Sequence, residues 1–501
     1  MMNKNMYVMM IAIVTACGGL LFGYDVGVIS GALLFLGKNF SLNDEGLEIV
    51  TSAVLVGSIL GALGAGWYTR RFGGRSANML AGAIFVVGAF ASAASDSAET
   101  LAISRLIVGL GIGITAVAAP LYIADIAPPD RRGMMITLYQ LFITIGILVS
   151  YVVDLISAPH WRVMFGLGAV PGVVLAVGMA FLPYSPRWLA TRGRMAEAKK
   201  VLDQTLEPAM AETALREIQA DIERQKNDPQ WWLAFRSRAA KKALIITTTL
   251  AIFQQLIGIN AIIYYAPRIF QKAGFVDEKA ALWATLVIGV VNVVATFITI
   301  GMVDKSGRRK LLICGLAGMV TSLGILGIAF QQFDRIDTQQ SSIQASATPS
   351  TTQVDAKTPA INAPVDVAAP KDLPSTAQGS ETLAWLTLVC VIVYIACFAF
   401  SMGPLVWVLI GEMFPIQARC TGNAIACGGN YFANFIVAAT FLSLLNAFGA
   451  SNTFLLFASI SMFALLFVLF FLPETAGRTL EEIERDLGEQ LPTSSSTSMP
   501  N

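Results

Sequence analysis

"RRFGGR", Arg70 to Arg75, is echoed by "DKSGRR", Asp304 to Arg309, and each closes a long apolar run. A second pair, "PYSPR" (183–187) and "PETAGR" (473–478), closes two later runs. A Gly in such a turn allows a tight reversal, and the flanking arginines can meet acidic residues or helix C-termini of neighbouring runs. Counted along the chain, the four motifs follow the second, sixth, eighth and twelfth apolar runs. That spacing describes one six-span unit present twice. Parallel repeats of this kind bind their cargo near the bilayer midplane, between the halves, and rock one half against the other.

Composition agrees. Of 501 residues, 55% are hydrophobic and 13% charged, which is not the balance of a soluble domain. Spans of roughly 20 apolar residues fit at 7–36, 48–68, 77–95, 101–126, 134–157, 162–182, 242–268, 281–303, 310–330, 383–411, 421–446 and 453–472. The expected fold is an all-α membrane protein of twelve transmembrane helices in two six-helix pseudo-repeats. The N-terminal half covers 1–183, the C-terminal half 242–473 and a cytoplasmic tail 474–501. The charged stretch 184–241 ("MAEAKKVLDQ", "ALREIQADIERQ") reads as short amphipathic helices forming a small cytoplasmic bundle. Residues 331–381, rich in Ser, Thr, Ala, Pro and Gln, read as a disordered, outward-facing loop.

The first run is too long for a signal peptide and leads into a second span, so it reads as a retained helix. With Lys4 inside, 25 of the 34 basic residues fall on inside segments, which places both termini in the cytoplasm. A net charge of +1 argues against a nucleic-acid partner. The six cysteines (17, 314, 390, 397, 420, 427) show no metal-ligand or CxxC spacing and read as small apolar side chains. No cofactor or metal is expected, and the single histidine, His160, has no nucleophile or metal constellation around it, so an enzyme is disfavoured.

Asp25 stands inside the first apolar run, in "FGYDVGVISG" (22–31). A carboxylate at bilayer depth costs about 3 kcal/mol or more and needs a partner. Arg105, early in the fourth span, is the one Lys or Arg deep within a span. Pairing the two explains both. Burial favours the protonated acid and Arg105 favours the carboxylate, so a motion that separates them raises the proton affinity of Asp25. A permanent structural ion pair is the other reading. No GxxxxGK[ST] occurs, which leaves a proton gradient as the simplest drive; one charge moved across 100 mV is worth roughly 2.3 kcal/mol.

The seventh span carries "QQLIGIN", with Gln254, Gln255 and, after Gly258, Asn260. Amides at this depth suit a ring of hydroxyls, and Gly followed by Asn suggests an unwound helix lining a cavity. Interhelical hydrogen-bond glue is the alternative.

Read together, "GYDVGVISG" (23–31), "RLIVGLGIG" (105–113), "YQLFITIG" (139–146), "QQLIGINAIIYYAP" (254–267), "VDKSGRR" (303–309), "GPLVWVLIGEMFP" (403–415) and "PETAGRTLEEIE" (473–484) resemble the sugar porter family of the major facilitator superfamily, above all its bacterial galactose-, arabinose- and xylose-proton symporters. The resemblance covers nearly the whole chain except 331–381. It implies proton-coupled uptake of a monosaccharide by a monomer in a bacterial inner membrane, with the proton, the sugar and the lipid bilayer as partners and Asp25 and Arg105 as the coupling pair.

By match to the family motifs, the sugar contacts are Gln140, Gln254, Gln255, Asn260, Asn292, Trp407 and Asn430, with Phe22, Tyr264, Tyr265 and Tyr431 as pocket aromatics. A cytoplasmic gate would involve Arg71, Arg75, Asp125 and Arg132 in the first half, and Asp304, Arg308, Arg309, Glu412, Arg419 and Glu474 in the second. Against the family pattern, Arg70 replaces an acidic residue, Gly74 a basic one, Tyr184 and Asp125 each a Glu, and Tyr431 a Trp. These departures imply a differently wired or weaker first-half gate and leave the preferred sugar open. A uniporter of the same fold is the nearest rival, disfavoured because facilitative relatives usually carry Asn at Asp25. A non-transporting sugar sensor and a drug-proton exchanger are further readings.

Overall fold

The computed structural model describes residues 4–128, 131–227, 238–273, 277–347, 376–414 and 419–474. They form helices α1 (Lys4–Asn39), α2 (Asp44–Phe72), α3 (Gly74–Ala93), α4 (Ala98–Ile126), α5 (Arg132–Ser157), α6 (Trp161–Leu167) and α7 (Ala169–Ala180). Short helices α8 (Pro186–Thr191), α9 (Met195–Thr205) and α10 (Pro208–Asn227) follow. The second half runs through α11 (Arg238–Leu256), α12 (Ile259–Ala273), α13 (Glu278–Ser306), α14 (Arg308–Ala347), α15 (Thr376–Phe400), α16 (Met402–Met413) and α17 (Arg419–Phe471).

Three spans are each built from two helices: α6 with α7, α11 with α12 and α15 with α16. The last two spans are drawn as one element, α17, which kinks at Gly449, where φ is 77°. The twelve expected spans are all there, and they repeat as six plus six. The bundle's outer surface is apolar, with Phe181, Ile156 and Phe470 each more than three-quarters exposed, as a lipid-facing surface requires.

Local chemistry sets the ends. Asn43 caps α2 by accepting from Gly46 N, Ser97 and Thr100 form a reciprocal capping box on α4, and Asp277 caps α13 through Ala280 N. The echoed turns reverse at Gly73 and Gly307, with φ of 88° and 82°, a region that glycine alone enters cheaply.

Inside the first half, glycines let helices meet at backbone distance. A Cβ on Gly19 or Gly23 of α1 would strike the carbonyl oxygens of Tyr139 or Ile143 in α5, and one on Gly109 or Gly113 of α4 would strike those of Val54 or Ser58 in α2. This packing places Asp25 against α4 while α1 lies flush on α5.

The amphipathic helices α8–α10 bury Leu189, Ala198 and Val201 in one small cluster of their own and Leu202 and Ala211 in a second. Lys4 Nζ donates to Leu206 O at 2.7 Å, so this bundle and the start of α1 share one face of the molecule. One expectation is corrected. Helix extends over 331–347 and again from Thr376, within the stretch read as disordered, because a Gln/Ser/Ala sequence can prolong a helix already nucleated by an apolar span. Residues 348–375 lie outside the described residues.

Candidate functional site

Asp25 and Arg105 meet in the dry interior of the first half. Arg105 Nη1 donates to Asp25 Oδ1 and Nη2 to Oδ2, both at 3.2 Å, while Nε donates to Val50 O at 2.9 Å. Arg105 is fully buried and Asp25 is 3% exposed. The guanidinium also lies 5.5 Å from the centre of the Phe165 ring. A planar fork on a carboxylate, with a backbone carbonyl accepting from Nε, compensates much of both charges.

The amides of α11 and α12 gather at two helix breaks. The α11–α12 break falls at Gly258, whose φ is 90°, and Tyr394 OH donates to Ile257 O beside it at 2.9 Å. The α15–α16 break falls at Ser401, with φ −128° and ψ −87°. Gln254 Nε2 donates to the carbonyls of Met402 (2.7 Å) and Gly403 (3.1 Å) at the start of α16, so a side chain beside one break is tied to the backbone beside the other. Asn430 in α17 donates to Gln254 Oε1 (2.8 Å) and Ala251 O (2.7 Å). It accepts from Gln255 Nε2 at 3.0 Å, and Asn260 Nδ2 donates to Gln255 Oε1 at 2.8 Å. Four of the seven expected amide and Trp contacts thus form one network.

The other three do not join it. Asn292 is buried in α13, and Gln140 and Trp407 are half-buried in α5 and α16; none is hydrogen-bonded to the four-amide network among the described residues. Of the aromatics, Phe22 from the first half packs edge-on against Tyr431 from the second, with ring centres 6.0 Å apart. Tyr264 and Tyr265 are fully buried. Tyr265 OH donates to Ala438 O at 3.0 Å, and Tyr264 OH accepts from Asn434, whose Oδ1 has no hydrogen-bond partner. Sequence reading missed Asn434, although an amide four residues after Asn430 on the same helix was a visible signal.

On the face that carries α8–α10, the two halves solve the same problem with different chemistry. Glu474 accepts from Arg308 N (2.9 Å) and Arg309 N (3.3 Å), capping the start of α14. At the equivalent place, Tyr184 stacks on Trp188, with ring centres 4.8 Å apart, and the Arg75 guanidinium sits over the Tyr184 ring at 4.9 Å. Arg192 and Trp188 donate to the carbonyls of Arg70 and Arg71. At this turn the first half sets an aromatic ring against an arginine, where the second sets a carboxylate cap on backbone N–H groups. The side chains of Arg132, Asp304, Glu412 and Arg419 lie outside the described residues; Arg71 lies over the Phe72 ring at 5.9 Å, and Asp125 is half-buried in α4.

The opposite face holds a set of bonds between the halves that sequence reading did not find. Asp44 of α2 takes Arg268 Nη1 at 2.8 Å and Asn446 Nδ2 at 2.7 Å, and Glu48, one turn along, takes Ser443 N (2.8 Å) and Oγ (2.6 Å). Lys38 pairs with Glu278 at 2.5 Å. Acidic residues at the start of a span were legible, but their partners lie more than 200 residues away.

Residues 11–348 and 372–487 match the family model described as "Sugar (and other) transporter". The galactose-proton symporter of Escherichia coli K12 is 35% identical over 488 residues, covering 97% of this chain and 95% of its own length. The arabinose-proton symporter of the same strain is 36% identical over 489 residues, covering 96% and 94%. Among solved structures, the proton:xylose symporter XylE of E. coli, bound to 6-bromo-6-deoxy-D-glucose, superposes with a TM-score of 0.77 at 29% identity, covering 97% of this chain and all of the other. With nearly its whole length matched, twelve spans in two repeats and an ion pair and amide network at their centre, the chain belongs to the sugar transporter family of the major facilitator superfamily.

Proposed function

We propose that this protein is a proton-coupled monosaccharide symporter of a bacterial inner membrane, monomeric in the lipid bilayer and with both termini cytoplasmic. The units that rock are the halves 1–183 and 242–473, joined by the linker 184–241 and followed by the tail 474–501. Asp25 is the proton carrier and Arg105 its modulator. The observation that carries the reading is the buried two-point ion pair: it is strong enough to hold a carboxylate in a dry site, and it is carried on two separate helices, so a shift of α1 against α4 breaks it. When Arg105 withdraws, the uncompensated carboxylate takes up a proton.

The sugar is gripped where Gln254, Gln255, Asn260 and Asn430 meet. In the present state these amides satisfy one another, so hydroxyls enter by exchanging bonds of equal kind rather than by filling unpaired donors. That makes binding cheap to reverse, which a carrier needs. Gln140, Asn292 and Trp407 complete the contacts from neighbouring helices, with Phe22 and Tyr431 meeting across the seam and Tyr264 and Tyr265 below. The relatives named for galactose, arabinose and xylose frame the substrate as one of these or glucose; they differ by a hydroxymethyl group or one hydroxyl configuration.

The deciding experiment is sugar-triggered alkalinisation of the medium by de-energised cells, with xylose, galactose, glucose and arabinose in turn. Alkalinisation by one sugar, lost in Asp25→Asn while exchange of that sugar persists, is the expected result. Exchange with no pH change for any of the four would make the protein a uniporter and Asp25 a structural partner of Arg105.

A further inference from the structure

Another carboxyl lies buried in the first half, with no cation paired to it among the described residues. Asp154, near the end of α5, is fully buried. Its Oδ2 accepts from Gly31 N of α1 at 3.2 Å, and its Oδ1 has no hydrogen-bond partner. A Cβ on Gly31 would sit 2.5 Å from the Asp154 carboxyl, so α1 presses backbone against it. The titratable groups facing it are tyrosines. Tyr24 of α1 donates its hydroxyl to Met164 O (2.7 Å), and Tyr151, one turn back on α5, donates to Ile263 O (3.4 Å). Of the charged groups on the elements packed around it, Arg105 pairs with Asp25, Lys38 with Glu278 and Arg162 with Asp96, and Lys279 stands exposed at the start of α13.

The contrast with Asp25 decides its state. Both carboxyls are in the same low-dielectric interior, but one has a guanidinium and a matched pair of donors and the other has a single amide. An ionised group so placed costs several kcal/mol, and a proton removes that cost. We propose that Asp154 is a second proton-binding carboxyl of the transport cycle, neutral while the face away from α8–α10 is closed and ionised when that face opens. The step is proton association alone, carboxylate plus proton giving the acid.

Position supplies the link to motion. Gly31 lies six residues beyond Asp25 on α1, about 9 Å nearer that face, which is the outer one in the proposed orientation. Tyr151 reaches across the seam to α12, and a Cβ on Gly289 of α13 would strike its ring. Opening the outer face separates α5 from α12 and α13 and brings water to Asp154. Closure must then be accompanied by uptake of a proton from outside, and low outer pH favours the closed face.

The assignment rests on the proton-coupled reading, but its first test does not need transport. In purified Asp25→Asn protein, infrared difference spectra should show the carbonyl band of a protonated carboxylic acid that vanishes when Asp154→Asn is added. Asn keeps the shape and still accepts from Gly31 N; Asp154→Ser serves if the amide variant does not fold. The second test is the labelling rate of a cysteine introduced on the outer face, read against pH. The open-to-closed ratio should rise by up to about tenfold per pH unit in the wild type and lose that dependence in Asp154→Asn, with recovery in Asp154→Glu. A band unchanged by the substitution, or an equal pH dependence in both proteins, overturns the proposal. Failure of alkalinisation with the infrared result intact would count against symport and not against the buried acid.

Discussion

Arg105 holds Asp25 by two hydrogen bonds of equal length, 3.2 Å each, and donates from Nε to Val50 O of α2. The guanidinium therefore ties α1, α2 and α4 together through one charge, and any rearrangement among them is felt at the proton site.

Removing Arg105 should be felt twice. Arg105→Leu leaves a buried carboxylate unpaired, a loss of about 3–5 kcal/mol if Asp25 stays ionised. Asp25 escapes that cost by keeping its proton, so the pH optimum of sugar uptake should move to higher pH while sugar exchange survives. Uptake against external pH, measured in vesicles, checks the direction; an unmoved optimum would leave only a structural pair.

Substituting the amides separates grip from scaffold. Gln254→Ala with Gln255→Ala should abolish sugar binding, read by ligand-induced thermal stabilisation, without loss of expression. Asn430→Ala should weaken binding and also lower stability by about 1–3 kcal/mol, because it strands Gln254 Oε1 and Gln255 Nε2. Intact binding in the double variant would move the site elsewhere.

The bonds between the halves at the face away from α8–α10 should set how often that face opens. Asp44 and Arg268 are partly exposed, so their pair is worth no more than about 1 kcal/mol. Arg268→Gln should raise the open fraction up to about fivefold. Glu48→Gln should act similarly, since Glu48 is buried and grips Ser443 at two points. Distances between spin labels on Lys38 and Glu278 positions, placed on α1 and α13, report the opening.

Gly258 should tolerate nothing larger. Its φ of 90° suits glycine, and a Cβ there would lie 2.8 Å from the Phe457 ring. Gly258→Ala should cost about 1–3 kcal/mol in thermal unfolding and reduce uptake more than expression. Gly64→Ala, in open space on α2, is the control and should change neither.

Much of this was legible without coordinates. Twelve spans follow from apolar length, because a helix satisfies its whole backbone within one apolar segment in lipid. Their six-plus-six order follows from the echoed turns at Gly73 and Gly307, and the Asp25–Arg105 pair from the rarity of charge in a span. The seventh span announced its break through Gly258 and its amides through composition.

Tertiary structure alone decided who meets whom. Asp154 looks like a residue near a helix end until α1 closes on it, and Asp44 and Glu48 look like ordinary helix-start acids until Arg268, Ser443 and Asn446 arrive from the other half. Tyr184 departs from its family's Glu, yet only the packing of Arg75 over its ring reveals a cation–π contact in place of an ionic cap. The physical reason is common to all of these. Membrane insertion is governed by local hydropathy, which any window of sequence contains, whereas charge compensation in a dry interior depends on side chains brought together from distant spans.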